Sequence, residues 1–254
     1  MTLLRILRAF TLPLALFAVF SPSAQATPPD VIEIREEPFG LSEAHLFVTR
    51  TTTDNLGLHQ ALRVESFLVA IDLKTEKEEL WVLDRLVHME DYDDAGEFTG
   101  YSIERDPDLK SVNAYGVLAQ QRALPWSAVS HEANYDVAPS LTSDADAIRL
   151  TYDDGPSYRL ATGDMSRRLG DVTPSTSENV VDYQRMSTMA TRMMFAERIV
   201  PVETCKPGPV LEHWDTDYPA RYRFIRINCS DEEEPGVTSL ILRMVLVAGA
   251  DPDM

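Results

Sequence analysis

Alternation of apolar and polar positions, the mark of strands, runs through most of the chain, and one long stretch of helical spacing interrupts it. Residues 31–35, 45–53, 61–73 and 80–88 are rich in β-branched and aromatic side chains and are bounded by turn-forming clusters, so each predicts a strand. Asp54-Asn55-Leu56-Gly57 marks one turn and the charged residues 74–79 mark the next. Both parities of 67–73 are mostly apolar, which predicts a central strand covered on both faces. Residues 111–119 and 126–131 also read as short strands, and 90–100 as an acidic loop.

Two hairpins follow from the same alternation. Residues 147–152 and 157–161 flank Asp154-Gly155, with Ile148, Leu150, Tyr152, Tyr158 and Leu160 as the inward set. A two-residue loop would pair Leu150 with Arg159 and put opposite faces together. An odd-length loop keeps the apolar side chains together, pairing Tyr152 with Tyr158 and Leu150 with Leu160. Residues 221–229 and 238–247 predict a closing hairpin over the acidic 230–236. Apolar parity shifts from Tyr222 and Phe224 to Ile225, Ile227 and Cys229, which predicts a bulge near Phe224.

The helical stretch is 176–198. Ser175 is placed to cap it, with Glu178 three residues on as a capping box requires. Tyr183, Met186, Met189, Ala190, Met193 and Met194 fall on one stripe, and Pro201 ends it. The fold class expected is α+β: a mainly antiparallel β-sheet with this one long helix packed on it. The sequence has no internal repeat and no clear linker, and Pro207-Gly208-Pro209 reads as a connection. One domain over 27–254 is therefore expected.

The first 26 residues are set apart. Arg5 and Arg8 open a basic region, residues 9–20 are uncharged, and Ala24-Gln25-Ala26 supplies a small-x-small cleavage pattern. That order is a Sec-type secretory signal, with cleavage expected after Ala26. The apolar run carries Pro13 and falls short of the roughly 20 residues of a spanning helix. The expectation is a periplasmic or secreted protein with no stable membrane insertion once the signal is gone. A chain that crosses unfolded is expected to carry no cofactor loaded in the cytoplasm.

Charge narrows the partners. The formal net charge is −18, and becomes −20 when Arg5 and Arg8 leave with the signal. Such a surface repels phosphate backbones, so no nucleic acid partner is expected. The two cysteines, Cys205 and Cys229, are too far apart in sequence for a redox C-x-x-C motif and predict a structural disulfide outside the cytoplasm. The bridge would pin the helix exit to the sheet. It would contribute about 3.5 kcal/mol through loop entropy.

Chemistry is sparse. Glu90, Asp91, Asp93, Asp94 and Glu97 crowd one loop, but an EF-hand frame beginning at Asp91 meets Ala95 and Ser102 where acidic ligands are required. Met186, Met189 and Met193 are the candidate metal ligands, because thioethers suit Cu(I), although methionine also fills cores. Ser130-His131-Glu132 holds a hydroxyl, an imidazole and a carboxylate, but chain neighbours rarely meet as a triad. Neither G-x-S-x-G nor H-E-x-x-H is present. Trp214, in a polar stretch after Pro-Gly-Pro, is the candidate ligand-binding aromatic. The function expected is a non-catalytic exported domain that binds a small molecule or a protein partner. The alternatives are an extracytoplasmic hydrolase with an unrecognised site and a Cu(I)-handling protein.

Overall fold

Strand-forming sequence dominates the architecture. A computed structural model describes residues 32–54, 61–130, 140–152, 156–172, 204–211, 222–230 and 237–247. Of these, 64% lie in strands and 14% in helices. The strands are β1 (Ile32–Leu41), β2 (His45–Asp54), β3 (Ala61–Asp72), β4 (Glu78–Tyr92), β5 (Phe98–Arg105), β6 (Leu124–Pro125), β7 (Ser140–Ser143), β8 (Ala147–Thr151), β9 (Ser157–Ala161), β10 (Lys206–Leu211), β11 (Tyr222–Ser230) and β12 (Val237–Leu246). The helices are α1 (Ala114–Gln120), α2 (Trp126–Val129) and α3 (Thr162–Val172).

This corrects the α+β expectation. The described chain is one twelve-stranded mixed sheet carrying only short helices. The stretch 176–198, expected as the long helix, lies outside the described residues. Residues 111–119 and 126–131, expected as strands, instead hold α1 and α2. Asn113 caps α1, its side chain accepting the Gly116 N–H, and that local bond competes with extended backbone.

The sheet runs in the order β5-β4-β3-β2-β1-β12-β9-β8-β7, with β11 beside β12, β10 beside β11 and β6 beside β1. Long antiparallel registers join β1 to β4, and the pairing of β1 with β12 is parallel. Two predicted features hold. Leu68, Val69, Ala70 and Ile71 are all buried, so β3 is covered on both faces. The β8–β9 register pairs Leu150 with Tyr158 and Ile148 with Leu160, which keeps the apolar set together over an odd-length loop, two residues out of the expected pairing.

The predicted bulge near Phe224 is absent, since β11 and β12 pair without a break from Tyr222↔Val245 to Ser230↔Val237. The parity shift has another cause: both faces of β11 are buried. Phe224 packs with Leu46, Val48, Val69, Ile71 and Ile241, whereas Ile225, Ile227 and Cys229 pack with Leu240, Leu242, Leu160 and Leu169. The irregularity lies in β10, between Pro207 and Val210, in the segment expected as a connection. A third apolar cluster joins Phe47, Leu68 and Ala70 to Val117 and Leu118 of α1. Each such side chain contributes about 1.5–3 kcal/mol by leaving water.

Candidate functional site

The sheet forks at β1. β11 covers one edge of β12 along its length, so β1 and β9 must share the other edge. β1 pairs only at Ile34↔Thr238 and Arg35↔Ser239, and β9 only at Val245 and Leu246. Beyond Arg35, β1 turns to β6, pairing at Gly40 and Leu41. Side chains fill the opening. Oε2 of Glu36 accepts the Ile241 N–H at 2.9 Å, and Nη1 of Arg226 donates to the Glu36 carbonyl at 2.8 Å and to Ser239 Oγ at 3.0 Å. The Ile241 N–H and the Glu36 carbonyl, two backbone groups at the fork, are thereby satisfied.

Four charges meet at this point. Glu36 and Arg50 are cross-strand neighbours on β1 and β2, and Nε and Nη2 of Arg50 donate to Glu36 Oε1 at 2.9 and 2.7 Å. Arg50 also donates to both oxygens of Glu78, at 2.8 and 2.7 Å. Arg168 of α3 donates to Glu36 Oε1 at 2.7 Å and pairs with Glu78. Two guanidiniums and two carboxylates thus neutralise one another inside the protein. Burial works to raise the Glu36 pKa, but Arg168, Arg50 and the Ile241 N–H outweigh it and hold the carboxyl below its ordinary value. Breaking such a group from one side costs about 3–5 kcal/mol, because a buried charge is left uncompensated.

A shallow, open cleft lies beside the fork, with about 20 Å³ of space into which the centre of a water-sized sphere fits. Leu46, Ile71, Leu73, Leu160, Phe224, Ile241 and Leu242 form its apolar part, and Asp72, Glu76, Asp164, Arg168 and Arg243 its polar part. The β3–β4 turn arranges the rim. Asp72 Oδ1 accepts the N–H groups of Lys74 at 2.9 Å and Thr75 at 2.6 Å. The Thr75 N–H leads in lowering the Asp72 pKa, and burial opposes it. Glu76 has φ 59°, a left-handed conformation that costs a non-glycine residue about 1–2 kcal/mol. That conformation accompanies an Oε1 that accepts from Arg243 Nη2 at 2.9 Å and an Oε2 paired with Arg167. Arg243 also lies 5.1 Å over the Tyr222 ring. Its Nε is buried and has no hydrogen-bond partner among the described residues.

Of the sites expected from sequence, Cys205 and Cys229 come together in a disulfide with a Cα–Cα distance of 4.0 Å. Lys206 pairs with Asn228, so the bridge ties the start of β10 to the end of β11; the helix whose exit it was expected to pin lies outside the described residues. Met186, Met189, Met193 and Trp214 lie outside the described residues, as does His131. Among the described residues no group of three or more His, Cys, Asp or Glu side chains is placed to hold a metal ion. Asp93 spends Oδ1 on the N–H groups of Ala95 and Glu97, closing its own turn. No described helix is long and apolar enough to cross a membrane.

Glu36, Arg50, Glu78 and Arg168 were missed as a group. Part of the signal was available: Glu36 shares the parity of buried Ile34, and Arg50 that of buried Leu46 and Val48. Opposite charges at core-facing positions of adjacent strands mark a buried pair. No family model matches the chain, and no curated protein or solved structure matches it.

Proposed function

We propose that the chain is an exported binding protein, and that the cleft beside the fork takes a small amphipathic molecule with an anionic head. The observation that carries the reading is the cleft's composition. An apolar wall faces a polar rim on which Arg243 keeps a buried Nε–H with no acceptor among the described residues. A carboxylate head would pair with the exposed part of the Arg243 guanidinium on the rim, and an alkyl body would lie against the apolar wall. Export is supported by the order of regions in residues 1–26 and by the disulfide. In this reading the product begins at Thr27.

Calorimetric titration with decanoate and decylamine, below micelle-forming concentrations, tests the ligand class. Decanoate should bind more tightly than decylamine. Ile71→Trp, which fills the cleft, should abolish the heat, and Arg243→Met should weaken it. Equal affinity for the two amphiphiles would remove the role given to Arg243, and no heat from either would sink the reading. The intact mass of the natively expressed product tests export separately, and a mass that still includes Met1 would refute it.

A further inference from the structure

The outer edge of β5 carries a second surface, remote in sequence from the cleft. β5 ends the sheet order and, among the described residues, pairs only with β4. Its residues are nearly all exposed: Phe98 50%, Tyr101 70% and Ile103 56%. A bulge arranges them. Tyr92 faces Phe98 and Asp91 faces Gly100, so Thr99 is the extra residue, and its hydroxyl donates to the Asp91 carbonyl at 3.0 Å. Without that extra residue Phe98 and Tyr101 would point to opposite faces. With it, their rings meet at 5.0 Å, and Tyr92 meets Phe98 at 5.9 Å. Ile103 continues the row, and Leu62 lies beyond on β3, opposite His88.

Exposed strand edges normally carry lysine, proline or cover that discourages pairing. Residues 90–104 hold six carboxylates and neither lysine nor arginine. Arg85 and Arg105, just outside, are committed to Glu65, Asp106 and Asp84. The edge is therefore apolar on one face and framed by negative charge. A second copy of this chain would bring the same carboxylates against their equals, so charge argues against self-pairing.

We infer that β5 docks a basic, extended segment of a partner protein, which adds to the sheet as a strand and lays apolar side chains on Phe98, Tyr101 and Ile103. Backbone pairing would supply affinity, and the aromatic row with its carboxylates would supply selectivity. This surface stands independently of the cleft reading.

The probe is a fluorescent octapeptide of alternating lysine and valine, followed by anisotropy on the full mature chain. It should bind, weaken as salt rises, and bind about tenfold more weakly to a Phe98→Ser, Tyr101→Ser variant. All three aromatics are exposed, so that variant should keep the parent's thermal midpoint. A glutamate–valine peptide and a lysine–valine peptide N-methylated at alternate residues should both fail. Equal binding of the glutamate peptide would refute charge selection, and equal binding of the methylated peptide would refute strand addition. Unchanged affinity in the double variant would remove the surface from the interaction. Sedimentation showing a dimer abolished by the same variant would overturn the choice of occupant.

Discussion

Arg168 Nη2 donates to Glu36 Oε1 across 2.7 Å although 132 residues separate the two in sequence. The bond fastens α3 to the fork, alongside the burial of Met165 and Leu169 against Leu160. Glu36→Gln keeps the side-chain size and an acceptor for the Ile241 N–H, but leaves Arg50 and Arg168 with Glu78 alone. Urea unfolding should show a loss of about 3 kcal/mol. The thermal midpoint should fall by roughly 6–12 °C. In a double-mutant cycle with Arg168→Met the coupling should exceed about 1 kcal/mol, and simple additivity would show that the two residues are not energetically joined.

Acid should destabilise the fold through the same carboxylate. The folded pKa of Glu36 lies below its ordinary value of 4.5, so its contribution is complete above that value and is lost as pH falls through the folded pKa. Asp72 acts in the same direction. The urea midpoint should hold from neutrality to about pH 5 and fall below about pH 4. Glu36→Gln should flatten that fall, and an unaltered slope in the variant would place the acid sensitivity elsewhere.

Gly40 and Gly163 should respond in opposite ways to alanine. A Cβ at Gly40 would lie 2.8 Å from the Leu124 carbonyl oxygen and 2.9 Å from the Leu118 side chain, where β1 meets β6 and α1. Gly40→Ala should cost about 1–3 kcal/mol by overpacking. Gly163 sits in α3 with nothing within 4 Å of an added Cβ. Gly163→Ala should be neutral or stabilising by up to about 1 kcal/mol. Calorimetric midpoints of the two variants decide it, and a Gly40→Ala protein as stable as the parent would contradict the close packing of β1 on β6.

The disulfide should matter to stability rather than to redox chemistry. Cys229 is 1% exposed. Iodoacetamide should add no mass to the native protein before reduction. Replacing both cysteines with alanine should cost roughly 3 kcal/mol. Reductant should lower the parent's midpoint and leave the double variant's unchanged. Alkylation of the unreduced native protein would show the bridge to be open.

Much of the strand framework was legible because strand sequence advertises itself through a period of two. The positions of β2, β3, β8, β9, β11 and β12 could be read within a residue or two, since each buries alternate or successive β-branched side chains between turn residues. The short helices α1 and α2 were read as strands, because apolar runs of that length do not distinguish the two periods. α3 went unread although Met165 and Leu169 carry helical spacing. β10 was hidden because Pro207 and Pro209 suggest a break rather than a bulged strand.

By itself the sequence determined which stretches prefer extended backbone, which side chains of β3 and of the β8–β9 hairpin share an apolar face, and that a single pair of cysteines was available to join. These are local matters, settled by side-chain branching, turn chemistry and parity over a few residues. Only the tertiary structure decided that β1 and β12 pair briefly in parallel and then part, and that Glu36, Arg50, Glu78 and Arg168 close the opening between them. Such a cluster depends on four segments meeting. The stability of each buried charge comes from partners that no local pattern specifies, so the fork and its cleft exist only once the distant strands are in place.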